Sequence, residues 1–319
     1  MDFQARSWLA MALATGVCVG MAMRRAPALP VPPGLPAPPA RPRRLVGILG
    51  GLGPGASALL LKLIVEEATR AGAAHDHEHP SVIVYVKPEL PNSRLCVMGR
   101  GYSPMGGMVS ALRVLRDAGA TECCCACVTA HHFFRQAART AGAPLLDLLA
   151  VTATKAIALL AKVDDKAEAN NTIFLRIGLL STDATVKSQL FQRAIADAAR
   201  QHWGTGAGED EAAQTLRRVE VVVPKDVSIC QSCILSIKAG RAREDAVGSR
   251  LHAEAIKLVQ EQGAQLIITG STELPLGFSQ VTHPDFPVPV LDPMRLLAKE
   301  IVFRHNARCR HTAEISKYQ

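Results

Sequence analysis

The chain predicts an α/β protein built as two pseudo-symmetric parallel-sheet α/β domains with a cleft between them, and three observations carry that expectation. Short apolar runs alternate with helical segments from Leu45 onward, the pattern of parallel strands joined by crossover helices. The alternation starts afresh after Pro144. Most tellingly, two stretches share one layout. Leu115-Arg116-Asp117-Ala118-Gly119-Ala120 leads, eight residues past its glycine, to Cys127 and then Thr129; Val259-Gln260-Glu261-Gln262-Gly263-Ala264 leads at the same spacing to Ser271-Thr272-Glu273. In each copy an amphipathic helix stops at Gly, an apolar run follows, and the Cys or Ser sits where a buried parallel strand should end. Two facing halves bring both side chains into one cleft. A pair of acid/base groups on opposite faces of a carbon is what proton removal and return at a stereocentre needs.

The elements follow in order. Leu45 to Leu49 is an apolar strand, then the glycine loop Gly50-Gly51-Leu52-Gly53-Pro54-Gly55 opens a helix from Ala56 to Arg70. Val82 to Val86 is a second strand, Pro104 to Ala118 a helix, Glu122 to Ala126 a strand and Ala130 to Thr140 a helix. In the second half a helix from Leu148 to Leu160 precedes a strand from Leu175 to Leu180. That strand runs into Ser181-Thr182-Asp183-Ala184-Thr185, which takes the place of the glycine loop. A helix from Val186 to Arg200, a polar surface loop from His202 to Gln214, a strand from Val219 to Val223, a helix from Glu244 to Gln262 and a strand from Gln265 to Thr269 complete the repeat. The domain boundaries read from this are 45–145 plus 288–319 for the first domain and 146–287 for the second. Ligands on such sheets bind at the carboxyl ends of the strands.

Residues 1–44 stand apart. Ser7 to Met23 is a 17-residue apolar run, short for a membrane span and long enough for a signal-peptide core or a tilted anchor. Arg24-Arg25 and a proline-rich linker follow. An arginine-rich, acid-poor leader of this kind predicts organelle import (plastid or mitochondrion) or entry to the secretory route, with membrane contact confined to residues 7–23. It also explains the basic balance. Six arginines against Asp2 give the leader a net +5 of the chain's formal +8, leaving +3 for the rest. With aromatics at 4%, there is no basic stripe interleaved with stacking rings, which argues against nucleic acid as a partner.

Nine cysteines do not read as a disulfide framework. Cys123, Cys124, Cys125 and Cys127 crowd one strand, where neighbouring side chains point to opposite faces and cannot bridge. Cys230-Gln231-Ser232-Cys233 is a lone C-x-x-C with no second half, so buried free thiols are the expectation and no metal is assigned. The loop Gly51-Leu52-Gly53-Pro54-Gly55-Ala56 fits the dinucleotide pattern G-x-G-x-x-A. No acidic residue closes a second strand about 20 residues on, as a dinucleotide site requires. A small carboxylate held by backbone N–H groups at the helix start is the reading preferred here, with a purely structural turn as the plainer one.

Val46-Gly47-Ile48-Leu49-Gly50-Gly51-Leu52-Gly53-Pro54, Cys127-Val128-Thr129-Ala130-His131, Gly178-Leu179-Leu180-Ser181-Thr182-Asp183-Ala184-Thr185 and Gly270-Ser271-Thr272-Glu273-Leu274-Pro275, in this order, resemble the aspartate/glutamate racemase superfamily, nearest its aspartate racemase branch. The resemblance runs from about Leu45 to Ile301. It implies two pseudo-symmetric domains around a cleft, no pyridoxal phosphate or other cofactor, no metal, an amino acid or dicarboxylate as small-molecule partner, and a homodimer. Family members carry Cys-Asn-Thr-Ala-His in the first half and Gly-Cys-Thr-Glu in the second, with the two cysteines flanking the substrate α-carbon. Carried across, Cys127 matches the first cysteine and Ser271 sits at the second. Lys238 matches a basic position that meets a substrate carboxylate, and Arg94 stands one place from the expected arginine.

Two departures matter. Val128 replaces the usual Asn, and Ser271 replaces a thiol. A thiol near pKa 8.5 can be brought to thiolate by neighbouring dipoles, whereas a hydroxyl is a poor base without a partner. The leading expectation is a cofactor-independent racemase or epimerase for aspartate- or glutamate-like substrates, with Cys127 as thiolate base and Ser271 as donor or relay. Thr129, Thr272, Gly51 and Gly53 are expected at the α-carboxylate, Lys238 and Arg94 at a side-chain carboxylate, and Glu273 behind Ser271. The alternatives are a single-cysteine decarboxylase or lyase of the same superfamily and a non-catalytic carboxylate-binding homologue. Plainer roles stand beside these: Lys238 as a surface lysine at a helix end, Glu273 as a helix-start charge, His131 or His132 as a cap or a neighbour of Cys127.

Overall fold

A computed structural model describes residues 44–164, 175–203, 219–241, 243, 246–278 and 286–315. The leader 1–43 and most of the expected loop 202–214 lie outside the described residues; His202 and Trp203 close a helix. Among the described residues no helix is long and apolar enough to cross a membrane.

Among the described residues seven strands form two all-parallel sheets. The first contains β1 (Leu45–Gly50), β2 (Ser81–Val86) and β3 (Glu122–Cys125) in the order β2-β1-β3. The second contains β4 (Leu175–Ser181), β5 (Val219–Val222), β6 (Leu266–Gly270) and β7 (Val290–Leu291) in the order β5-β4-β6-β7. Each sheet therefore sets its first strand in the middle, its second on one side and its third on the other. This is the repeat that the sequence carries, in three dimensions. Val46↔Glu122 and Ile177↔Leu266 begin the two equivalent central pairings. Strands β3 and β6 are buried at every residue, as parallel strands covered on both faces must be.

Helices cover the sheets. In the first half these are α1 (Pro54–Arg70), α2 (Ser93–Val97), α3 (Met105–Asp117) and α4 (His131–Ala141). In the second half they are α5 (Leu148–Asp164), α6 (Asp183–Lys187), α7 (Leu190–Trp203), α8 (Val227–Lys238), α9 (Val247–Gln262), α10 (Leu274–Phe278) and α11 (Pro293–Ile315). Pro54 opens α1 at its first turn, where a missing N–H is no loss, and Ala56, Leu60, Leu63, Ile64 and Ala68 make its buried stripe.

One apolar cluster joins Val46, Ile48 and Leu60 to Leu148, Ile157, Ile177, Ile268 and Leu297, so the two sheets share a core. A second cluster fills the outer face of the first sheet around Leu112, Cys123, Cys125 and Phe134, and a third that of the second sheet around Cys230, Cys233, Leu251 and Ile267. Cys124 lies in the shared cluster and Cys123 and Cys125 in the outer one, which is the period of two expected of a strand. No disulfide is seen among the described cysteines, and the C-x-x-C pair is core packing on α8. Glu122, which interrupts the apolar run of β3, is buried and ion-paired with Arg44 and Arg304.

Two expectations about helices are corrected. The single helix over 186–200 is two: Thr182 Oγ1 accepts from the Thr185 N–H and starts α6 early, and Gln189 at φ 52° breaks the chain before α7. Within segment 288–319, β7 pairs beside β6 in the second sheet and α11 packs on α1 and α5. Lastly, α2, α8, α10 and α11 form helices where none was expected. Asp292 caps α11, accepting from the Met294 N–H at 2.8 Å.

Candidate active site

The strand ends of both halves open into one cavity of about 400 Å³. All nine side chains and loop positions singled out from sequence line it: Gly51, Gly53, Arg94, Cys127, Thr129, Lys238, Ser271, Thr272 and Glu273. Cys127 stands two residues beyond β3, and Ser271 one residue beyond β6. Repetition of one sheet topology thus delivers a thiol and a hydroxyl to a common space.

The glycine loop after β1 is shaped by two close approaches. Gly51 has φ 96°, and a Cβ there would lie 2.3 Å from the Lys87 carbonyl carbon; Gly53 has φ 118°, and a Cβ there would lie 3.2 Å from Glu273 Oε1. Both conformations favour glycine. The Gly51 N–H, expected to face a ligand carboxylate, donates to Ser57 Oγ at 3.3 Å. The loop's role at Gly51 is to bring the backbone against the end of β2, and at Gly53 to leave room for Glu273.

Asn92 caps α2 by accepting from the Leu95 N–H, which sets Ser93 and Arg94 on the first turn against the cavity. Arg94 reaches into the second half and makes a two-pronged ion pair with Asp183, Nε to Oδ1 at 2.7 Å and Nη2 to Oδ2 at 2.6 Å. Burial works against the Asp183 carboxylate, but the Arg94 hydrogen bonds and charge and the Ala184 N–H outweigh it and hold it below the usual carboxylate range. The arginine expected to meet a substrate carboxylate is thus already bonded to one. Three of its five N–H groups remain.

Beyond β3, buried Thr129 meets Thr182 Oγ1 at 3.2 Å and Thr185 Oγ1 at 2.9 Å, a hydroxyl cluster that ties the halves together at the cavity wall. His131 does not act on the thiol through a side-chain hydrogen bond; its Nδ1 bonds the Cys127 carbonyl oxygen at 2.8 Å. A carbonyl only accepts, so Nδ1 carries the proton. Burial lowers the pKa of this imidazole and keeps it neutral. Its function is to fix the Cys127 backbone.

Beyond β6, Glu273 collects three partners. Ser271 Oγ donates to its Oε2 at 2.7 Å, Thr272 Oγ1 donates to the same oxygen at 3.0 Å, and Lys238 Nζ, at the last residue of α8, lies 3.2 Å from Oε1. The lysine expected at a substrate carboxylate is thus paired with Glu273, and the two hydroxyls are already hydrogen-bonded.

Cys127 is half-buried. Burial, together with the negative charge of Glu273, pushes its thiol up to about 11, against the smaller opposing pull of the Ala130 N–H and Lys238. These surroundings favour the thiol over the expected thiolate. Among the described residues no group of three or more His, Cys, Asp or Glu is arranged to hold a metal ion.

Sequence reasoning missed Ser93, Thr182 and Gln231 as parts of one wall, which Val128 joins beside Cys127. Thr182 was legible as the counterpart of the glycine loop. Gln231 carries no motif, and only its position on α8 brings it to the cavity.

The chain matches the family described as Asp/Glu/hydantoin racemase over residues 49–301. Among solved structures it resembles the aspartate racemase of Picrophilus torridus, with a TM-score of 0.58 and 21% identity over 82% of this chain and 94% of that one. An aspartate racemase homologue from Pyrococcus horikoshii OT3 gives a TM-score of 0.58 and 18% identity over 82% of this chain and 99% of that one. Glutamate racemase from Francisella tularensis subsp. tularensis SCHU S4, in complex with D-glutamate, gives a TM-score of 0.50 and 14% identity over 84% and 82%. These likenesses are likenesses of fold.

Proposed function

The chain belongs to the Asp/Glu/hydantoin racemase family, and we propose that it is a cofactor-independent racemase or epimerase of aspartate- or glutamate-like amino acids. The observation that carries this reading is the shared cavity of Cys127 and Ser271, reached from equivalent strand ends of the two halves. A proton can then leave one face of the α-carbon and return to the other.

The steps balance without another reagent. Ser271 Oγ takes the α-proton while passing its own proton to Glu273 Oε2, to which it is already hydrogen-bonded. The Cys127 thiol, protonated because burial and Glu273 disfavour the thiolate, gives its proton to the opposite face. The product leaves a thiolate and a protonated Glu273. The reverse reaction, or proton exchange with water, restores both. Glu273 thereby supplies the basicity that a lone hydroxyl lacks. Lys238 and the three remaining N–H groups of Arg94 hold a side-chain carboxylate, and Thr129 and Thr272 turn from their present partners to the α-carboxylate.

The experiment is incubation of each enantiomer of aspartate and glutamate with the full chain in deuterium oxide. Racemisation gives α-deuterium in the inverted product, and Cys127→Ala abolishes inversion. A single protonated thiol also suits a decarboxylase, in which Cys127 protonates the carbanion left by loss of CO2. CO2 release without α-deuterium in recovered substrate supports that second reading.

A further inference from the structure

Gln231 on α8 is 9% exposed, and its Oε1 is buried with no hydrogen-bond partner among the described residues; Ser93 on α2 is 4% exposed, and its Oγ is in the same condition. Both residues line the cavity that holds Cys127 and Ser271. A buried polar atom left unpaired costs about 1–3 kcal/mol, so two in one cavity oppose stability and call for a bound partner. The other polar groups of the wall satisfy one another: Arg94 with Asp183, Lys238 with Glu273, and Thr129 with Thr182 and Thr185. What the wall leaves unpaired among the described residues is an amide oxygen and a hydroxyl.

An amide oxygen only accepts, so its missing partner is an N–H or O–H donor. An amino acid brings three such donors in its ammonium group. The family pattern puts an Asn beside the first catalytic cysteine, and here that position is buried, apolar Val128. Gln231 returns a carboxamide to the same cavity from the other half of the molecule. Helix α8 presents it on one stripe, with Gln231, Ile234, Leu235 and Lys238 all lining the cavity at the i, i+3, i+4, i+7 spacing of a single helix face.

We propose that Gln231 is the ammonium-recognition residue of this site, its Oε1 accepting from the α-ammonium of an amino-acid substrate, and that Ser93 Oγ donates to a carboxylate of the same molecule. The proposal deepens the amino-acid reading above and rests on it. It makes the site selective for an amino acid over the same diacid without nitrogen, that is, for aspartate over succinate and glutamate over glutarate.

Calorimetric titration of the full chain with these two pairs tests it, alongside thermal melting. The wild type binds the amino acid more tightly than its des-amino partner. Gln231→Leu weakens amino-acid binding about tenfold or more, the loss of one charge-assisted hydrogen bond. It leaves the diacid unchanged and melts at the same or a higher temperature, because an unpaired amide has been removed. Gln231→Glu, which keeps an acceptor, retains the preference, and Ser93→Ala weakens both members of a pair alike. The proposal is overturned if the wild type shows no preference or binds neither member, if Gln231→Leu weakens both members equally, or if it lowers the melting temperature. The failure of the two readings is separable. A Gln231-dependent preference without α-proton exchange keeps the recognition and removes the racemase; α-proton exchange with an unchanged KM in Gln231→Leu removes the recognition and keeps the racemase.

Discussion

Ser271 Oγ donates to Glu273 Oε2 at 2.7 Å, and the second oxygen of the same carboxylate lies 3.2 Å from Lys238 Nζ. A serine at this position is therefore one member of a hydroxyl–carboxylate pair. Glu273→Gln keeps the size of the side chain and removes the proton acceptor. Racemisation is expected to fall by about 10²-fold or more, the scale of a lost general base, with KM changing far less than kcat. Steady-state kinetics in both directions measures it.

The same substitution acts on Cys127 with the opposite sign. Glu273 is one cause of a thiol pushed up to about 11, so removing its charge lowers the thiol pKa. Alkylation by iodoacetamide follows the thiolate fraction. The wild type is expected to react slowly at pH 8 and faster as pH rises toward about 11; Glu273→Gln moves that rise to lower pH, and Lys238→Met moves it to higher pH. Mass spectrometry of the modified Cys127 peptide reads the profile.

The Arg94–Asp183 pair ties α2 to α6 beside the cavity. Its side chains are about one-third exposed, so a coupling of about 1 kcal/mol is expected in a double-mutant cycle of Arg94→Met and Asp183→Asn at pH 7. The Asp183 pKa is depressed in the fold. Its contribution is therefore fully present above the unfolded value of about 3.9 and is lost as pH falls through the lower folded value. Denaturation at a series of pH values should give full coupling at pH 7 and a coupling that shrinks as pH falls below about 3.9.

Gly51 and Gly53 separate stability from activity. A Cβ at Gly51 meets the Lys87 backbone at 2.3 Å, whereas one at Gly53 meets the end of a side chain, Glu273 Oε1, at 3.2 Å. Gly51→Ala is expected to destabilise by more than about 3 kcal/mol, because backbone must move. Gly53→Ala costs about 1–2 kcal/mol of left-handed strain, yet lowers kcat by displacing Glu273. Urea denaturation and initial rates on the same preparations distinguish the two.

The half-repeat was legible because it is local. The helix stops at Gly119 and Gly263, the buried strands after them and the Cys127 and Ser271 positions all follow from short-range pattern, and the two sheets repeat one strand order. What was not legible depends on residues far apart in sequence. Arg94 and Asp183 are 89 positions apart, so nothing near Arg94 announces that its guanidinium is engaged. Helix α8 was missed because Val227–Lys238 mixes β-branched residues, serines and cysteines that favour a helix weakly; burial of Cys230, Cys233 and Ile234 decides its conformation. The rise in the Cys127 thiol pKa was hidden for a related reason. The Glu273 carboxylate that contributes to it comes from the second half of the chain.

In the proposed reaction Ser271, backed by Glu273, and Cys127 serve opposite faces of one α-carbon. Wash-out of α-deuterium from D- and L-aspartate labelled at that carbon, followed separately in Cys127→Ala and Ser271→Ala, tests it most directly. Each variant is predicted to release deuterium from one enantiomer only, without inversion, and the two variants from opposite enantiomers. Release from the same enantiomer by both variants, or from both enantiomers by either, contradicts the account.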